Sequence, residues 1–267
     1  MLAFTIFAAY LGTGLWLIRP FRSDSKDPEQ TLRPAVVVPV VALIALHGAG
    51  LTGGVILNPD IGLGLADVLS IIAWLFAAIG LFAALQPGFG VLAGIVFCLS
   101  AALIGGSLAL PGAADQALTW QLKLHAVLSL IAYSFLAAGA VLAAASLVQD
   151  AQLRAARVSR LSAVLPPLLA TEKLLATLTT SGFVFLLLAI TSGFVFVENL
   201  FAQHLTHKSA LSVGALAIFG LLVIGRQVSG WRGRRMLQLY LTGFLILVLA
   251  YFGSKIVLEF LLDRSWG

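Results

Sequence analysis

The sequence predicts an all-α, polytopic transmembrane helix bundle of about eight spans, with both termini on the exported side. Three observations predict it. Of 267 residues, 60% are hydrophobic and only 10% charged, against roughly a quarter charged in a soluble domain. The apolar residues gather into runs of about 20, the length that crosses a bilayer core. The basic residues fall mostly between alternate runs. The same composition excludes disorder, collagen, coiled coils and disulfide scaffolds: the mean hydropathy is +1.05, and the 26 glycines lack a three-residue period. Cys98 is the single cysteine, so an intramolecular disulfide or cysteine-based metal site is ruled out.

The candidate spans, in order, cover about 2–18, 35–53, 66–85, 88–109, 121–148, 174–197, 209–227 and 237–261, one integral membrane domain over 1–267. No Lys or Arg precedes the first apolar run, and Arg19, Arg22 and Lys26 follow it. That order reads as an anchor with an exported N-terminus rather than a cleaved signal peptide. The third and fourth spans are separated only by Gln86, Pro87 and Gly88, a hairpin turn. After the fifth, Gln149 to Ser162 reads as a helical continuation that sets Arg154, Arg157 and Arg160 three apart, as a solvated stripe facing lipid headgroups does. In the sixth, Ser181-Gly182-Phe183-Val184-Phe185 recurs as Ser192-Gly193-Phe194-Val195-Phe196. Eleven residues is close to three helical turns, so both small-residue notches share one face, as close helix packing in a membrane requires. The connections leave no room for a soluble domain, and no Walker loop, nucleotide fingerprint, catalytic triad or metalloprotease pattern occurs. The reading is a non-enzyme.

Charge sets the orientation. Assigned alternately, one side receives Arg19, Arg22, Lys26 and Arg33, then Arg154, Arg157, Arg160 and Lys173, then Arg226, Arg232, Arg234 and Arg235: 12 of the 16 basic residues. The positive-inside bias places that side in the cytoplasm. It also accounts for a net charge of +5 without nucleic acid. The partner is the lipid bilayer.

Ionisable residues within spans are functional candidates by default. His47 lies in the outer half of the second span, and His125 one turn into the fifth. His204 and His207 fall in the exterior loop before the seventh, so all four histidines are on the outer side. His47, beside Gly48 and Gly50, either hydrogen-bonds a neighbouring helix or ligates iron, the small neighbours leaving room for a planar group. His125 is either an interfacial histidine or a ligand. His204 and His207, three apart, are weaker candidates, with Glu198 as a third group. Lys255 and Glu259 form an i, i+4 pair, and Lys255 is also placed to face an anionic ligand. Asp67 and Glu172 each suit a helix N-terminus. No metal other than iron is expected.

The C-terminal third carries a resemblance. Gly230-Trp231-Arg232-Gly233-Arg234-Arg235, Gly243-Phe244 and Ala250-Tyr251-Phe252-Gly253-Ser254-Lys255 resemble the cytochrome c assembly membrane protein family (CcsA/ResC type), in its shorter YpjD/HemX-like branch. Leu124-His125-Ala126-Val127, Ala132-Tyr133-Ser134, Glu172-Lys173 and Gly193-Phe194 fit as well. The resemblance implies haem as cofactor, handled near the exported face of a bacterial inner membrane during cytochrome c maturation, with other maturation proteins as partners. His125 matches the family's first exterior histidine, and His47 corresponds by helix position. Two features depart from the family: Glu198 to Lys208 holds no Trp where a tryptophan-rich haem segment is expected, and Leu261 to Gly267 holds no histidine. These departures favour the alternative of a non-enzymatic structural or regulatory subunit without haem; a small-solute transporter ranks below both.

The orientation has a direct test. In a Cys98→Ala background, Ala113→Cys is labelled by a membrane-impermeant maleimide on intact cells. Ala155→Cys is labelled only after lysis; the reverse pattern inverts the topology.

Overall fold

The computed structural model describes residues 2–22, 34–56, 63–110, 118–155, 165–196 and 206–250. Their regular structure is helical: α1 (Leu2–Arg22), α2 (Pro34–Leu51, running on into a π-helical turn at Thr52–Ile56), α3 (Leu65–Ala84), α4 (Gly90–Leu108), α5 (Trp120–Arg154), α6 (Leu168–Phe196), α7 (Thr206–Ser229) and α8 (Arg234–Val248). Seven of these, α1 to α7, are long and apolar enough to cross a membrane. The described part of α8 has 15 residues, about 22 Å at 1.5 Å per residue; residues 251–261 of the predicted eighth span lie outside the described residues.

Two helix starts show how local chemistry sets the boundaries. At α3, the Gly64 backbone N–H donates to Asp67 Oδ2 at 3.0 Å, so the predicted carboxylate does sit in the first turn. At α6 the prediction is corrected. The helix begins at Leu168 rather than 174, because Pro167 has no N–H to place in a helix and its carbonyl instead accepts from Ala170 N and Thr171 N. Glu172 therefore lies in the second turn, beyond reach of the unpaired N–H groups, and pairs with Arg232 at 3.9 Å.

The chain divides into two compact units, Met1–Lys123 with Val148–Thr171, and Leu124–Leu147 with Glu172–Gly267. In the first, α4 packs against both α1 and α3, while α2 lies on α3 and touches α1. The α1–α4 approach is backbone to backbone. A Cβ on Gly14 would meet the Gly94 carbonyl oxygen at 2.9 Å and Cys98 Sγ at 2.7 Å, and one on Gly94 would meet the Gly14 carbonyl oxygen at 2.9 Å. The α3–α4 hairpin turns through Gly88 at φ +80°, a conformation glycine adopts without steric cost. At the end of α5, Arg154 bonds Asp150 one turn back at 3.0 Å, and Gln149 holds the Pro166 carbonyl at 3.3 Å. Arg157 and Arg160 lie outside the described residues.

In the second unit the repeated notches do share one face, and both receive α5. A Cβ on Gly182 would meet Leu136 at 2.6 Å, and one on Gly193 would meet the His125 ring at 3.1 Å. Phe185 stacks on Phe135 with ring centroids 5.9 Å apart. The buried Tyr240 of α8 donates to the Leu136 carbonyl at 2.9 Å, and Tyr133 to that of Leu247 at 3.2 Å. α7 ends on Gly230, φ +61°, whose N–H returns to the Arg226 carbonyl at 3.1 Å, the αL type of C-cap. The Trp231 indole covers Gly225, and α8 starts after Gly233, φ +81°.

Gly14→Leu is expected to destabilise the fold by about 1–3 kcal/mol through overpacking. Gly12→Ala, at a position with nothing within 4 Å, is expected to be neutral or stabilising by up to ~1 kcal/mol. Unfolding of both variants in detergent micelles checks this.

Candidate functional site

His47 is held from both sides. The ring is 4% exposed and Tyr10 is fully buried beside it. Nδ1 lies 3.0 Å from Tyr10 Oη of α1, and Nε2 lies 3.1 Å from Ser70 Oγ of α3. A neutral imidazole has one donor and one acceptor nitrogen, and two hydroxyls satisfy both in either tautomer. Tyr10 also leans on Phe97 of α4 at 6.0 Å, so the imidazole and phenol tie α2 to three helices. The room expected beside His47 is taken on one side: Trp74 packs over Gly48, where a Cβ would meet the indole at 2.8 Å, and its Nε1 donates to the Ile44 carbonyl at 2.9 Å.

His125 is held differently. Its Nδ1 lies 2.9 Å from the Ala189 carbonyl oxygen and 3.1 Å from Ser192 Oγ. A carbonyl only accepts, so Nδ1 carries the proton. The Ser192 hydroxyl donates to the same carbonyl at 2.7 Å, which turns a lone pair toward the ring. With the proton on Nδ1, the Nε2 of the neutral ring keeps its lone pair. A histidine donating its second nitrogen to a backbone carbonyl is the arrangement found behind metal-ligating imidazoles. The second notch, Ser192-Gly193, is what admits the ring: the absent side chain at Gly193 supplies its space.

Haem ligation would make different demands on these two rings. His125 is fixed in the tautomer that a ligand at Nε2 needs. His47 would have to give up Tyr10 or Ser70 to reach a metal. Among the described residues no group of three or more His, Cys, Asp or Glu side chains gathers to hold a metal ion. His204, Lys255, Glu259 and Glu198 lie outside the described residues, and of His207 only the backbone, in the first turn of α7, is described. Lys123, two residues before His125, is 8% exposed. Sequence reasoning singled out both histidines within spans but not their hydrogen-bond partners Tyr10, Ser70 and Ser192. Tyr10, the one phenol of the first apolar run, was the available signal for the first.

Tyr10→Phe is expected to cost about 1 kcal/mol, the scale of an interhelical hydrogen bond in a membrane. The measurement is a double-mutant cycle with Ser70→Ala by unfolding in micelles. Non-additivity reports coupling through His47.

Three comparisons bear on this arrangement. The family model described as "Cytochrome C assembly protein" matches residues 61–262. The inner membrane protein YpjD of Escherichia coli strain K12 is 31% identical over 231 residues, 84% of this chain and 86% of that one. An Azospirillum brasilense chain, described as an uncharacterized 28.8 kDa protein in a nifR3-like 5' region, is 31% identical over 143 residues, 53% of each. The match spans α3 through α8 and both His125 and its Ser192-Gly193 seat. This chain is a membrane protein of the cytochrome c assembly family.

Proposed function

We propose that this protein handles haem near the exported face of a bacterial inner membrane during cytochrome c maturation, with His125 as the iron ligand. The observation that carries the reading is the Nδ1 bond from His125 to the Ala189 carbonyl. It fixes the tautomer, aims the ring and raises the basicity of the opposite nitrogen. Family membership supports the cargo, and the inner-membrane relative supports the location. The charge distribution supports the exported face, because His125 sits in the second turn of α5, the end away from Arg154. When bound, haem would supply a redox-active iron. The protein's own part is to bind and orient it without making or breaking bonds in a substrate. Ser192 positions His125, and Gly193 admits it.

A second reading, a structural or regulatory subunit without haem, is favoured by one observation. Both ring nitrogens of His47 are already hydrogen-bonded, as in a histidine kept for helix packing.

The visible spectrum of detergent-purified protein, as isolated and after adding haem, decides between them. A Soret band that shifts on reduction is expected. It should be lost in His125→Ala, weakened in Ser192→Ala and retained in His47→Ala, whose melting temperature instead falls. A monodisperse sample with no band before or after haem addition overturns the haem reading. A band lost only in His47→Ala moves the ligand to α2.

A further inference from the structure

The second unit carries a cavity that neither histidine lines. It has a volume of about 480 Å³ between α6, α7 and the start of α8, within the range of small-ligand sites. Arg226, in the last turn of α7, lines it with Gln227 and with Thr177, Thr180 and Ser181 of α6. Arg226 Nη1 is buried and has no hydrogen-bond partner, the one such side-chain nitrogen or oxygen among the described residues.

A guanidinium stays charged at any physiological pH, and an N–H of it left unpaired away from water is costly. Inside a bilayer the cost is higher. Among the described residues no carboxylate lines the cavity to supply a counter-charge. Glu172, the acidic residue of α6, is directed to Arg232 instead. Among the described residues, then, none supplies an anion to Arg226 Nη1. Hydroxyls from Thr180 and Ser181 and the Gln227 amide add donors around the fork, and Thr177, Thr180 and Gln227 are exposed, so the cavity is open at its mouth. Arg232, Arg234 and Arg235 stand at the same end of the unit and raise its positive potential.

We propose that this cavity is a phosphate-binding site, with Arg226 as its anchor. A tetrahedral oxyanion offers enough acceptors for a guanidinium fork and several hydroxyls at once. The phosphate comes either from a phospholipid headgroup of the adjoining leaflet, as in basic pockets between membrane helices, or from a soluble phosphate. The site is independent of haem binding at His125.

The test uses the full chain, stripped of lipid in dodecyl maltoside. It is titrated separately with phosphatidylglycerol in mixed micelles and with inorganic phosphate, with melting temperature as readout. Phosphatidylglycerol is expected to raise the melting temperature. Arg226→Gln is expected to weaken that binding by about tenfold, the scale of one lost charge-assisted hydrogen bond. Thr180→Leu, which fills the mouth and keeps the guanidinium, is expected to do the same, whereas the exposed control Arg235→Gln changes little. An equal Arg226-dependent shift from inorganic phosphate alone assigns the site to a soluble phosphate; a shift from the lipid only assigns it to the headgroup. Equal binding by wild type, Arg226→Gln and Thr180→Leu overturns the proposal, as does no shift with either probe. If Arg226→Gln does not fold, Thr180→Leu decides.

Discussion

Everything in this protein rests on how closely its helices can approach. Between lipid-exposed helices no expulsion of water draws surfaces together, so association depends on contact and on polar bonds that lipid cannot supply. The first unit meets this demand at Gly14 and Gly94, where two backbones touch through glycine. The second meets it at Gly182 and Gly193. Polar side chains add direction to these contacts. Ser100, Ser134 and Ser146 spend their hydroxyls on the carbonyl one turn back in their own helices. Tyr10, Trp74, Tyr133 and Tyr240 instead reach across to a neighbour.

The two inner histidines show how the same side chain acquires different chemistry from its partners. His47 faces two hydroxyls, each of which can donate or accept, so its proton can sit on either nitrogen without loss. His125 faces a carbonyl, which permits one tautomer. Burial differs between them, His47 being buried and His125 half-buried, but burial does not choose the tautomer. The acceptor character of Ala189 does, and it comes from the backbone. Ser192 reinforces it because its hydroxyl is committed to the same carbonyl.

Much of the fold was legible because span length and apolarity are local properties. Seven predicted runs became α1 to α7 with shifts of a few residues. The exception at α6 is instructive: Glu172 and Lys173 read as a membrane border, yet the helix is set by Pro167, seven residues before the predicted start. The eleven-residue repeat was legible as a shared face, since helical periodicity requires only the sequence. What each notch receives was not. Gly182 against Leu136 and Gly193 against His125 depend on which helix arrives and in what register. The same limit hid Tyr10 and Ser70, which lie 37 and 23 residues from His47 along the chain. Arg226 was read only as one of twelve orienting charges, because nothing in its neighbours along the chain tells of a cavity.

The turn between α7 and α8 carries a consequence for kinship. Gly230 and Gly233 hold backbone angles that other residues adopt only under strain, and Trp231 needs the bare surface of Gly225 to lie on. The most recognisable stretch of the chain thus records a change of direction in the backbone rather than the handling of a cargo. Any descendant that keeps the bend is under pressure to keep those letters, whatever it has come to carry. Lineage is written in the hinge between two helices, while the proposed vocation rests on the single carbonyl behind His125.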